Sequence, residues 1–145
     1  FVAYFVDSLC NTSALDLNSD TINVALFGDA VTPDQLAATA AAQYGAGGTW
    51  TAANEKTATG WTAGGLALAS ITVTDNTTAS FKFDAADKAG GASDTLSDVR
   101  GVLIYDNTLA GKNGICYLSF NGGNSVTSGT FTVVFNSAGI FTAAL

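Results

Sequence analysis

The chain contains no histidine. That excludes imidazole general-base catalysis, the Ser-His-Asp and Cys-His nucleophilic arrangements and every zinc set that includes histidine. Its two cysteines, Cys10 and Cys116, cannot complete a four-thiolate site within one chain. Positive charge is also scarce: Lys56, Lys82, Lys88, Arg100 and Lys112 stand against twelve acidic residues, for a formal net charge of -7. Phosphate backbones are held by cations that displace their counterions, so nucleic acid is not an expected partner. The same sign disfavours an anionic membrane surface. No apolar run approaches the roughly 20 residues that a bilayer-spanning helix needs. The segment from Phe1 to Asp7 lacks a basic stretch and meets an acid early, which makes it a poor signal peptide.

What is present is apolar and turn-rich. Hydrophobic residues make up 48% of the 145 positions, and sixteen glycines lie among many Ala, Thr, Asn and Asp, enough for a sizeable core with short connections. No linker divides the chain, so residues 1–145 are expected to form one domain. Cys116 sits within Ile115-Cys116-Tyr117-Leu118-Ser119-Phe120 and reads as a small buried hydrophobe. Nothing in the spacing of Cys10 and Cys116 says that they meet, and both are expected to be reduced.

Along the chain, residues 1–10 fit either a short helix or an edge strand. Residues 21–27 alternate and are β-branched at the start, as a half-buried strand requires. One helix is expected, with Thr32 as its cap, Pro33 in the first position, Gln35 in capping-box spacing and an Ala-rich stretch from Leu36 to Tyr44, ended by Gly45, Gly47 and Gly48. Trp61-Thr62-Ala63-Gly64-Gly65 reads as a tight bend feeding a strand over 66–74. A return strand over 79–84 completes a hairpin. Further strands are expected over 99–105, 115–120 and 130–135, with a turn at Asn121-Gly122-Gly123-Asn124 between the last two and a short apolar segment at 140–142. In the 130–135 strand, Phe131, Val133 and Phe135 share a core face, and Thr130, Thr132 and Val134 share the other. Many short strands with little helix predict an all-β fold, a two-layer antiparallel β-sandwich of jelly-roll or Ig-like type with one short helix.

The remaining candidates for chemistry are carboxylates and aromatics. Asp84, Asp87, Asp94 and Asp98 are spaced closely enough to consider a paired-acid site or weak calcium binding, but beside Gly, Ser and Ala they read first as solvated turns. Gly45-Ala46-Gly47-Gly48 lacks the Gly-Lys-Ser/Thr of a phosphate loop. Tyr44, Trp50, Trp61 and Tyr105 could line a carbohydrate groove, although core and interface roles are commoner for such rings. No catalytic, metal or cofactor site is assigned.

Several segments in succession resemble a family of small tailed-bacteriophage virion structural proteins. They are Leu15-Asp16-Leu17-Asn18-Ser19-Asp20-Thr21-Ile22-Asn23-Val24-Ala25-Leu26, Trp61-Thr62-Ala63-Gly64-Gly65, Phe81-Lys82-Phe83-Asp84-Ala85, Gly101-Val102-Leu103-Ile104-Tyr105-Asp106, and the stretch from Tyr117 to Phe120 continuing through Ser125–Val133 to Ile140. The Ala-, Gly- and Thr-rich section between Gly45 and Trp61 departs from that pattern. The resemblance implies a non-enzymatic particle component, a capsid decoration or cement protein on the capsid exterior. Its partners would be the major capsid protein and further copies of itself, as a homo-oligomer such as a trimer. The alternatives are a tail or baseplate structural protein, or a carbohydrate-binding β-sandwich. Phe1, Tyr4, Phe5, Tyr44, Trp50 and Trp61 are the candidate interface residues, because each region pairs aromatic rings with little charge.

Overall fold

The computed structural model describes residues 15–46, 48–76 and 80–144. Phe1, Tyr4, Phe5 and Cys10 therefore lie outside the described residues, as does any element over 1–10. The run Ile22-Asn23-Val24-Ala25-Leu26-Phe27 forms β1 (Ile22–Phe27), and every one of its side chains is buried. A strand apolar at nearly every position is one covered on both faces, so the half-buried expectation for this segment is corrected. β1 pairs antiparallel with β6 (Asp94–Asp106), Val24 opposite Ile104 and Ala25 opposite Leu103. β2 (Leu66–Ala67) flanks β1 on one side, and β7 (Gly114–Gly129) flanks β6 on the other, giving a four-stranded sheet in the order β2-β1-β6-β7.

Two smaller sheets complete the described strands. β3 (Thr72–Asn76), β4 (Ser80–Asp84) and β9 (Phe141–Ala144) form one, and β5 (Lys88–Ala89) with β8 (Thr132–Val133) forms the other. All pairings are antiparallel. The fold is thus mostly β, and the expected hairpin is present as β3 and β4, with Val73 opposite Phe83.

Alternation sorts the central sheet into two faces. On one, Ile22, Val24, Leu26, Val102 and Ile104 join Phe83, Phe131, Val133, Phe135 and Ile140 in a large apolar cluster that draws on all three sheets. On the other, Ala25, Phe27, Leu103 and Tyr105 meet Val31, Tyr44 and Trp50 from the irregular chain between β1 and β2. Gly101 is needed for this second face: a Cβ there would collide with the Tyr117 ring and the Leu118 carbonyl, so only glycine lets β7 lay Tyr117 across β6.

Several expected elements are redrawn. The helix over 36–44 is not formed. Only a single 3-10 turn exists there, Thr39–Ala42, and within it Ala42 alone is buried. Alanine propensity is too weak to nucleate a short helix that has no apolar stripe to dock; Leu36 is 84% exposed. The turn has Ala38 at its N-cap position with no side-chain capping bond, and upstream Asp34 forms a local turn, its Oδ1 accepting from the Leu36 amide at 2.9 Å. The strand over 66–74 is broken at Ser70, whose φ is 53°, and the chain changes sheet there, β2 pairing with β1 and β3 with β4. The turn at residues 121–124 is instead an irregularity inside β7: Ser119 lies opposite Gly101 and Asn124 opposite Val99, so residues 120–123 face the single residue Arg100. In the 130–135 segment only Thr132–Val133 joins a ladder, yet the faces fall as expected, with Phe131, Val133 and Phe135 buried and Val134 71% exposed.

Candidate functional site

The polar chemistry of the interior gathers at the chain between β1 and β2. Glu55 is the only glutamate among the twelve acids, and it is buried. Its Oε2 accepts from the Tyr44 hydroxyl at 2.6 Å and from the Gly64 amide at 3.0 Å. The Gly64 carbonyl in turn accepts from the Tyr105 hydroxyl at 2.6 Å and from Asn23 Nδ2 at 2.9 Å. The rings of Tyr44 and Tyr105 stack 4.8 Å apart and 7° from parallel, and the Lys112 ammonium lies 5.5 Å from the centre of the Tyr44 ring. Burial, followed by the hydrogen bond to Glu55, raises the Tyr44 hydroxyl well above its ordinary value. Burial likewise pushes Tyr105 up to about 12, against the lowering hydrogen bond from Asn23. Both phenols are therefore firm hydrogen-bond donors rather than proton-transfer groups at neutral pH. The network binds Tyr44, Glu55 and Gly64 to strands β1 and β6.

A second carboxylate works in the same way. Asp94, fully buried at the start of β6, accepts from the Gly60 amide at 2.6 Å and the Gly91 amide at 2.8 Å, joining two turns to the sheet. Trp61 lies beside it and donates its indole N–H to the Phe131 carbonyl at 3.0 Å. A Cβ at Gly90 would collide with both Asp94 and Trp61, which accounts for the glycine.

The four aspartates considered for a paired-acid or calcium site take separate duties. Asp84 pairs with Lys82 at 3.3 Å, Asp98 with Arg100 at 2.8 Å, and Asp87 accepts from the Phe135 amide at 2.9 Å, while Asp94 holds its two turns. Among the described residues no three His, Cys, Asp or Glu side chains gather as a metal would require.

The candidate interface aromatics that are described lie indoors. Trp50 and Trp61 are each 1% exposed, and Tyr44 is buried. Trp50 packs edge-on to Phe27 with ring centres 5.1 Å apart and tilts against Tyr117 at 5.3 Å, on one face of the sheet. Trp61 meets Phe131 in the cluster on the opposite face. The two tryptophans thus share no exposed shelf, and the carbohydrate-binding alternative loses the platform it needs. Cys116 is a free thiol packed against the larger apolar cluster, and burial pushes it up to about 12.

Outside the interior, a groove of about 600 Å³ runs between residues 28–35 and the outer strand β7, walled by Val31, Pro33 and Tyr117 and lined with polar groups from Asp29, Arg100 and Ser119. Leu36 follows it in the chain with its side chain in solvent. The sequence reading missed Asn23, Glu55 and Asp94 as structural polar residues. One hint was visible: Glu55, the sole glutamate, lies between Trp50 and Trp61 in a stretch otherwise poor in acids. No protein-family model, curated protein or solved structure matches the chain.

Proposed function

We propose that the chain is a non-enzymatic structural component of a tailed-phage particle, a decoration or cement protein on the capsid exterior that stabilises contacts between major capsid subunits. In this reading the three sheets make a two-layer β-sandwich, jelly-roll or Ig-like, with the four-stranded sheet as one layer and the two smaller sheets as the other. The shared cluster of Val24, Ile104, Phe83 and Val133 supports that arrangement. The assignment to a particle rests on the sequence resemblance.

The observation that carries the assembly role is the surface beside β7. A groove with apolar walls is lined as far as Gln35, and the residue that follows in the chain, Leu36, is a large apolar side chain 84% exposed, in a chain that keeps its tryptophans inside. Interfaces form where apolar anchors meet pockets ringed by polar groups. The contact face thereby moves from Trp50 and Trp61 to Leu36 and the groove, and neighbouring copies of a homo-oligomer, such as a trimer, or the capsid protein would cover it. The test follows the chain through gradient purification of the particles. Wild-type chain is expected to co-sediment, and Leu36→Asp to reduce its occupancy about tenfold, the cost of losing an interface anchor, with thermal stability unchanged. Full occupancy of the variant would remove Leu36 from the interface, and wild-type chain absent from particles would end the virion reading.

A further inference from the structure

The sequence contains two Asn-Gly dipeptides, Asn113-Gly114 and Asn121-Gly122, and the fold treats them in opposite ways. Asn113 is 4% exposed, its Oδ1 accepts from Gln43 Nε2 at 2.8 Å, and its backbone bridges to Gln43. Asn121 is exposed, has a φ of 55° and lies among the residues of β7 that have no paired position on β6 between Ser119 and Asn124. Gly122 is exposed too, and open space surrounds it where a side chain would be.

We propose that Asn121 is a site of spontaneous, structure-directed deamidation and that Asn113 is protected from the same reaction. The Gly122 main-chain nitrogen attacks Cγ of Asn121. As the N–Cγ bond forms, that nitrogen gives up its proton to solvent; the Cγ–Nδ2 bond breaks and the side-chain nitrogen, taking up a proton from solvent, leaves as ammonia. The resulting five-membered succinimide adds one water and opens at either carbonyl, giving aspartate or isoaspartate. Nothing is oxidised or reduced, and water is the only co-reactant. Ring closure requires the Asn side chain and the next amide to approach freely, which a glycine in an unpaired, exposed stretch allows. A residue locked by packing and hydrogen bonds must first open locally.

The product matters where it sits. Residues 120–123 lie opposite Arg100, whose partner Asp98 borders Gly123. Deamidation adds a negative charge to this part of the outer strand, and the isoaspartate form also lengthens the backbone of β7. The reaction would therefore alter the charge and shape of one exposed strand as the protein ages, leaving both buried faces of the sheet intact.

The experiment incubates the intact folded chain in mildly alkaline buffer and, in parallel, in guanidinium chloride. Peptide mapping by mass spectrometry and isoaspartate labelling then quantify both dipeptides. In the folded chain Asn121 is expected to convert about tenfold or more faster than Asn113, because the protected site reacts only from its open fraction, and in denaturant the two rates converge. Asn121→Gln should abolish the early acidic species on ion exchange at unchanged thermal stability. Equal rates in the folded chain, no product at Asn121, or a difference that persists in denaturant would each overturn the proposal.

Discussion

The two faces of the β1–β6 pair are buried by different means. One is closed by other strands, through apolar side chains such as Phe83, Val133 and Phe135 that meet Val24 and Ile104. The other is closed by chain with almost no regular structure, which brings Tyr44 and Trp50 onto Phe27, Leu103 and Tyr105 and is held by Glu55. Strands satisfy their own backbone through ladders, so dispersion and the removal of apolar surface from water suffice on the first face. An irregular lid carries backbone amides and carbonyls with no ladder to use, and a buried one left unpaired costs about 1–3 kcal/mol. Side-chain acceptors and donors close that gap here, which explains why a glutamate, an asparagine and two tyrosines stand where an apolar core alone would have filled the space.

The largest expected effect sharpens this contrast at its two tryptophans. Trp61→Ala should cost about 3–5 kcal/mol in chemical denaturation, the range for a buried aromatic, and it also strips the Phe131 carbonyl of its indole donor. Trp50→Ala removes a ring of the same size from the lid, where loose chain can partly collapse into the space, and should cost less. A larger loss at Trp50 would reverse the ranking of the two faces.

Next in size is Asp94→Ala, which leaves the Gly60 and Gly91 amides without their acceptor and is expected to cost about 2–4 kcal/mol. Asp94→Asn should recover part of that, since one amide oxygen remains to accept. Equal losses for Ala and Asn would mean that the carboxylate acts by charge rather than by joining two turns.

Alkali should affect the lid before the strand-covered face. Tyr105 has an ordinary value of 10.0 and is pushed up to about 12 in the fold, foremost by burial. An acid whose folded value lies above its unfolded one stabilises fully below the unfolded value and loses that contribution as pH rises through the folded one. Stability should therefore fall between pH 10 and about 12, and the fall should be shallower in Tyr105→Phe, followed by denaturant midpoints across that range. An identical slope in the variant would contradict the assignment. The smallest effect is expected outside both faces: Val134→Thr, at a side chain in solvent, should change stability by no more than about 0.5 kcal/mol.

Much of the strand-covered face was legible in the sequence, because alternation is a local signal. Phe131, Val133 and Phe135 could be placed on one side from their spacing alone, and the β3–β4 hairpin from two alternating runs around a polar break. The lid was not legible. Its residues 28–65 have no period, and the partners that hold them, Asn23 and Tyr105 for Gly64 or Asp94 for Gly60, lie far away in the chain. Alanine-rich residues 36–44 illustrate the same limit: intrinsic propensity favours helix, but nothing on that segment offers an apolar stripe to dock. Tyr44, Trp50 and Trp61 were recognisable as important rings. Whether such rings face a partner or the chain's own core depends on contacts that composition does not encode.

The central functional claim is that this chain acts by occupying a place in a particle, with the groove beside β7 and Leu36 turned toward a neighbouring subunit. A side-chain-resolution map of intact particles tests it most directly. The account predicts density for the chain on the capsid exterior, with Leu36 and the groove covered by capsid protein or another copy. A particle in which that face lies in open solvent, or from which the chain is missing, would contradict it.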